Sequence, residues 1–423
     1  MQKVLVITYY WPPAGGPGVQ RWLKFIKYLP EFDIEPIVYI PENPTYPIND
    51  ESLLNEIPKG IRILKHPIFE PYRWAGFLSR KKTKRISSGI IHTKNQSKLE
   101  KLMLWVRGNF FIPDARKYWV KPSVNYLSRV IKEQDINTII TTGPPHSVHL
   151  IGKQLKQRHQ LKWLADFRDP WTSIGYHKKL KLTKSSQKKH KQLESLVLNE
   201  ADTIVVTSVT TKNEFAALTK KPIAVITNGY DTDYKGGATL NKKFTIAHIG
   251  SLLSGRNPSN LWQILATIAE ENEQFRAAFE LQLIGVVSED VLDNMFGHGL
   301  QPFIKQVDYL THAEALKSQQ RAQVLLLVEI NSYETKGIIP GKLFEYMAAQ
   351  RPILGIGPKN WEVSKIIEET ESGRVFDYEA RVMIKKQILE WFERYQSSNL
   401  HIHTKNVEQY SRRELTRTLA KYL

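Results

Sequence analysis

Eleven short apolar runs, separated by helix-patterned stretches, limit the fold of this chain more than any other feature. In the first half they are residues 3–9, "PIVYI" (36–40), "TIITT" (138–142), "KWLADF" (162–167), "DTIVVTS" (202–208) and "IAVITN" (223–228). In the second half they are "FTIAHIG" (244–250), "LQLIG" (281–285), "FIKQV" (303–307), "QVLLLV" (323–328) and "PILGIG" (352–357). Continuous apolar runs mark strands buried on both faces, and strands alternating with helices make parallel sheets covered on either side. The two series meet at "NGYDTDYKGGATLNKK" (228–243), a polar, glycine-containing linker. The expected fold is therefore α/β, two Rossmann-like domains facing across a cleft. The first is expected over residues 1–235 and the second over 236–404, with a last helix at about 405–423 packing back on the first.

Ligands of such sheets bind at the carboxyl ends of the strands, so the loops that follow the runs hold the candidates. The first run leads into "YYWPPAGGPGVQRWLKFIKYL", where Gly15, Gly16 and Gly18 precede an amphipathic helix. Without Cβ atoms, Gly15 and Gly16 let backbone amides approach a ligand, although neither the spaced dinucleotide fingerprint nor a Walker loop is present. In the second half, "HIGSLLSGRNPSNLWQIL" offers the amides and hydroxyls of Gly250, Ser251, Ser254 and Gly255, and Arg256 adds a permanent cation suited to a diphosphate. In "YETKGIIPGKLFEYMAAQRPIL", Gly341 and Lys342 open a helix, and Glu345 follows one turn later, where a carboxylate can accept from a ribose diol or simply mark a helix start. "DFRDPW" places Asp166, Arg168 and Asp169 at a strand end, as ligand contacts or an internal ion pair. His146, in "GPPHS", is a candidate hydrogen-bond donor or an ordinary surface histidine.

Charge separates the two halves. Of the chain's 60 Lys/Arg and 42 Asp/Glu, residues 1–240 carry 38 and 20, and residues 241–423 carry 22 and 22. Residues 71–132 hold 15 basic against 2 acidic residues, interleaved with Trp74, Phe77, Trp105, Phe110, Phe111, Tyr118 and Trp119. The run 177–191 adds seven lysines. Such a mixture suits nucleic acid or an anionic membrane surface. The neutral second half with its diphosphate loop argues against nucleic acid. The membrane is then expected to meet Trp74, Phe77, Trp105 and Trp119 with Arg80, Lys81, Lys82, Lys84 and Arg85. The absence of cysteine fits a reducing cytoplasm, and no stretch is apolar enough to span a bilayer, so peripheral placement on the inner face of the cytoplasmic membrane is expected. "DTD" (231–233) falls in the linker and "HIH" (401–403) lacks further ligands, so no metal site is expected.

"IGSLLSGRNP" and "GIIPGKLFEYMAAQRP", in that order, resemble the second domain of GT-B glycosyltransferases, and most of all the retaining family-4 enzymes of bacterial capsule and surface-polysaccharide synthesis. "TYYWPPAGGPGVQR", "TTGPPHSVHLIG", "LADFRDPW" and "NEADTIVVTS" are similar to that family's successive strand-end loops, so the likeness covers nearly the whole chain. It implies a nucleotide-sugar donor as co-substrate, no metal or other cofactor, and a saccharide or lipid-linked saccharide acceptor. Glu345 matches the family's second glutamate, which binds the ribose, and Arg256 matches the basic residue after the phosphate loop. Arg168 and Asp169 then lie beside the reacting sugar. Two departures stand out: Gly337 occupies the place of the first glutamate of E-x7-E, and Ser251 that of a basic residue. The amides of Gly337, Ile338 and Ile339, with Lys342, are expected to take over some sugar and phosphate contacts. A nucleotide-sugar epimerase of the same fold and a basic nucleic-acid-binding protein are the rival readings.

Overall fold

The computed structural model describes residues 1–71, 98–178, 180–231 and 238–423. The chain forms two compact units, Met1–Thr227 with Arg412–Leu423, and Asn228–Ser411. Local bonds explain the division. Ile226 N–H donates to Val206 O and Arg21 holds Thr227 O at 2.6 Å, whereas Tyr230 N–H already donates to Tyr410 O.

The first unit is a seven-stranded parallel sheet of β1 (Gln2–Thr8), β2 (Ile34–Pro41), β3 (Arg62–His66), β4 (Thr138–Gly143), β5 (Lys162–Phe167), β6 (Thr203–Val206) and β7 (Ile223–Val225), in the order β3-β2-β1-β4-β5-β6-β7. Period-two alternation sends Leu5 and Ile7 to one core with Val124, Ile151 and Phe215. It sends Val4 and Val6 to the other, with Trp22 and Phe25. The helices used below are α1 (Pro17–Tyr28), α2 (Lys98–Phe110), α3 (Lys117–Gln134), α4 (Ser147–Arg158) and α5 (Lys184–Glu200).

The second unit is a six-stranded parallel sheet of β8 (Phe244–Ile249), β9 (Phe279–Ile284), β10 (Ile304–Val307), β11 (Val324–Val328), β12 (Ile353–Gly357) and β13 (Gly373–Asp377), ordered β10-β9-β8-β11-β12-β13. It carries α6 (Ser259–Glu271), α7 (His312–Arg321) and α8 (Lys342–Ala348). The C-terminal helix α9 (Arg412–Ala420) belongs to the first unit, where Leu415 and Leu419 join the core of Trp22 and Phe25.

The order of each sheet reverses beside its first strand, between β1 and β4 and between β8 and β11. Strand-end loops diverge at such a switch point and leave room for a ligand. The loops after β1, β4, β8 and β11 carry most of the candidate residues.

Candidate functional site

In the second unit the loop after β8 begins with Gly250, whose φ of +111° is a left-handed conformation. That φ is what requires glycine, and a Cβ there would stand 2.8 Å from Lys342 Nζ, so the ammonium lies directly against the loop. Lys342 Nζ lies 3.5 Å from His248 Nε2. His248 Nδ1 is 3.0 Å from the Leu326 carbonyl, which only accepts, so Nδ1 carries the hydrogen and Nε2 presents a lone pair to the ammonium. Burial holds His248 well below the usual histidine range, with Lys342 acting in the same direction. Burial, reinforced by Arg256, draws Lys342 down to about 8.

Arg256 is clamped by Glu329: Nε and NH2 each lie 3.2 Å from a carboxylate oxygen. The Glu329 side chain is wholly buried while 32% of that of Arg256 remains exposed. Glu329 also accepts from Ile330 N–H at 2.8 Å, and its carbonyl accepts from Tyr378. Glu345 turns toward α7, where His312 Nε2 and Gln319 Nε2 each lie 3.1 Å from its oxygens. Ser251 is exposed beside Gly250. Gly341 caps α8, and Pro340 and Gly341 carbonyls accept from Leu343 and Phe344. The amides expected to replace the missing acid are not all available. Ile338 N–H donates to Thr335 O at 2.9 Å, and its carbonyl takes Trp361 Nε1. Gly337 and Ile339 lie on either side of it.

Two cations, Lys342 and Arg256, thus meet at the ends of β8 and β11 with two carboxylates in range, Glu329 held by Arg256 and Glu345 held by α7, and an anion entering there meets the ammonium beside the Gly250 backbone. Lys342 is charged below its pKa of about 8 and neutral above it, so anion affinity should be full at pH 6–7 and fall as pH rises past about 8, by up to tenfold per unit. Calorimetric titration with a nucleoside diphosphate across pH 6.5–9.5 checks this, and Lys342→Arg should abolish the fall because a guanidinium keeps its proton.

In the first unit the loop after β1 is laced to residues 45–50. Gly15 N–H donates to Ile48 O at 2.9 Å, so this amide is engaged within the protein, and Asp50 N–H donates to Pro13 O. Gly16 (φ +105°) caps α1. Gly18 gives way to Arg168: a Cβ there would overlap the guanidinium. Arg168 Nε donates to Gly143 O at 3.1 Å, NH2 donates to Pro144 O, and the guanidinium lies 5.8 Å from the Tyr10 ring centre. It therefore ties together the loops after β1, β4 and β5. Burial lowers its pKa.

The three charges of "DFRDPW" divide. Asp166 is fully buried and takes Arg21 at 3.0 Å, Trp22 Nε1 at 2.7 Å and Thr142 at 2.8 Å. It is a core ion pair, with Arg21 rather than Arg168 as partner. Asp169 is half-buried, and burial raises its pKa against the opposing pull of Arg168. His146 is a buried residue, not a surface one. It stacks on Trp171 with centroids 4.7 Å apart, and neither ring nitrogen has a hydrogen-bond partner among the described residues. Burial, then His149, holds its pKa well below the usual range, so it is neutral at physiological pH.

Gly18→Ala should displace Arg168 and lower turnover ten- to a hundredfold, roughly, with little change in thermal midpoint, since alanine suits α1. In an Arg168→Ala background it should have no further effect. Additive losses in this double-mutant cycle would show that Gly18 acts through something else.

The basic aromatic surface differs from its expected composition. Trp119 is a correction: it is 1% exposed and stacks on Tyr39 at 5.0 Å, because α3 turns it into the core. Trp74, Phe77, Arg80, Lys81, Lys82, Lys84 and Arg85 lie outside the described residues. What α2 does expose is Leu102, Trp105 and Phe110. Asn109 of α2 joins Lys181 and Thr183, which lead into α5 and its exposed Lys184, Lys188 and Lys191.

Solved structures of similar architecture identify the fold. A glycosyltransferase from Rickettsia africae aligns over 100% of this chain and 97% of its own, at 14% identity and a TM-score of 0.61. The lipopolysaccharide outer core galactosyltransferase WaaB aligns over 100% and 99%, at 12% identity and a TM-score of 0.59. The fold is GT-B. A Listeria monocytogenes protein described as a UDP-N-acetylglucosamine 2-epimerase shares it, over 99% of this chain and 94% of its own, at 13% identity and a TM-score of 0.55. No known family description matches the chain, and no curated protein matches it.

The sequence reading missed Glu329 and His248. The only signal of Glu329 was one acid ending the apolar run "QVLLLV".

Proposed function

We propose that the chain transfers a sugar from a nucleotide-sugar donor to a saccharide acceptor. The observation that carries this reading is Gly250 against Lys342: a glycine fixed by its positive φ lies beside a half-buried ammonium at the switch point of the second sheet. With Arg256 held beside it by Glu329, the site suits a compact polyanion. A departing diphosphate gains charge in the transition state, and cations already in place stabilise that charge without reorganising. In this reading Glu345 takes the ribose diol, positioned by His312 and Gln319. Within the second unit the loops of Gly250, Ser251 and Gly337–Gly341 line the donor. In the first unit Asp169 is the group proposed for an acceptor hydroxyl, Arg168 sets its loop in place, and the buried His146 supports that loop by stacking on Trp171.

The acceptor we propose is a lipid-linked saccharide of bacterial surface-polysaccharide synthesis, and the reaction a retaining one. Support comes from the family likeness of the sequence and from the basic first half. Incubation with UDP-, GDP- and dTDP-sugars and saccharide acceptors should yield an extended acceptor. Free sugar isomers without extension would establish an epimerase instead.

Among the described residues no helix is long and apolar enough to cross a membrane. The face we propose for peripheral contact is that of Leu102, Trp105 and Phe110 with Lys184, Lys188 and Lys191. Each lysine near an anionic surface contributes about 1 kcal/mol, screened by salt. The protein should sediment with vesicles containing anionic lipid, leave them as salt rises, and bind at least tenfold less when the three lysines become glutamine. Equal binding to neutral vesicles would remove the electrostatic contact.

A further inference from the structure

We infer that a cavity at the C-terminal end of α8 is a second ligand site, one that takes a small anion carrying hydroxyl groups, a sugar phosphate or a sugar acid. It lies within the second unit and is independent of the donor reading, since Lys342 opens α8 at the other end. The cavity holds about 720 Å³, within the range of small-molecule sites, and Arg351, His401 and His403 form part of its wall. The two histidines are those of "HIH", which the donor site leaves unused.

Arg351 is the residue that calls for an anion. It follows Gln350, whose left-handed φ of +54° ends α8, and it is only 7% exposed. Its NH2 group donates to neutral acceptors alone: Gln323 Oε1 at 3.3 Å, Gln323 O at 3.4 Å and Leu400 O at 3.2 Å. Nε is buried without a partner, and NH1 makes no hydrogen bond among the described residues. No carboxylate among them pairs with the guanidinium, and burial alone draws its pKa down, to about 10. The group therefore stays charged at neutral pH while buried without a counter-charge, which arginine rarely does. An anion in the cavity supplies that counter-charge through charge-assisted hydrogen bonds. A fixed cation in the wall makes a metal ion an unfavourable occupant. Gln320 of α7, Thr404 and Glu408 also line the cavity. Glu408 forms no ion pair with Arg351, so its carboxylate is placed to accept from hydroxyls and to turn away a ligand charged along its whole length. Negative charge at one end and hydroxyls at the other match this wall.

Calorimetric titration of the full chain with glucose 6-phosphate and with glucuronate tests this, with glucose as the uncharged control. At least one of the two anions should bind with one-to-one stoichiometry, and glucose about tenfold more weakly or not at all. The anion's affinity should be unchanged in Lys342→Ala and fall about tenfold in Arg351→Met, which removes the guanidinium and leaves an unbranched side chain in its place. Should Arg351→Met fail to fold, His401→Ala combined with His403→Ala, both at exposed positions, decides instead, with an expected loss of about threefold. No binding of either anion, equal binding of glucose, or an affinity that survives the deciding variant overturns the inference. Binding that falls in Lys342→Ala and stands in Arg351→Met belongs to the donor site and overturns it as well. Each of these failures leaves the donor reading in place.

Discussion

Lys342→Ala should lower kcat by about 10²–10³-fold while leaving the thermal midpoint unchanged or slightly raised. The kinetic loss follows from the site: the ammonium is the cation nearest Gly250, and removal of one preorganised partner of developing charge has effects of this size. The stability result follows from the sign of the pKa shift. The folded protein holds Lys342 at about 8, below its unfolded value of 10.5, so its charged form is disfavoured by folding at neutral pH. Alanine relieves that strain. Single-turnover kinetics and a thermal melt together check the prediction. A large fall in midpoint with a proportionate loss of activity would make Lys342 a structural residue instead.

Asp166→Ala should unfold the first unit far more easily. The carboxylate and Arg21 are both fully buried, and Asp166 also accepts from Trp22 and Thr142, so three elements converge on one group. Removing one partner of a buried pair leaves an uncompensated charge and costs about 3–5 kcal/mol. In a unit of this size that lowers the midpoint by about 10 °C. A differential scanning trace with two transitions should show the first unit's transition moving and the second unit's standing still. A shift under 2 °C would mean Arg21 finds other partners. Asp169→Ala, whose carboxylate is half-exposed, should leave both transitions in place and affect turnover only.

These contrasts mark what a linear reading can reach. The central strands were legible because burial on both faces demands unbroken apolar runs, as in "KVLVIT" and "VLLLV". The edge strands β3 and β13 were not: "RILKH" buries only Leu64 and "GRVFD" buries none of its residues fully, so neither differs from loop composition. The loop proposed for the diphosphate announced itself through Gly250, Arg256 and Lys342, of which Gly250 and Lys342 do lie together. Glu329 was not, because a single acid ending a strand has no local pattern, and its importance arises from Arg256, 73 residues away. The same holds for Asp166, whose partner Arg21 lies 145 residues away and left no local pattern. Trp119 illustrates the opposite error. An aromatic in a basic stretch suggested an exposed face, but α3 presents that position to Tyr39.

Isothermal titration of the full chain and of Lys342→Ala with UDP, GDP and dTDP tests the donor site most directly, since it needs neither the sugar nor the acceptor. One nucleoside diphosphate should bind the parent protein with one-to-one stoichiometry, and its affinity should drop at least tenfold in the variant. Binding of none of the three, or equal affinity in both proteins, would contradict a diphosphate site at Gly250, Arg256 and Lys342.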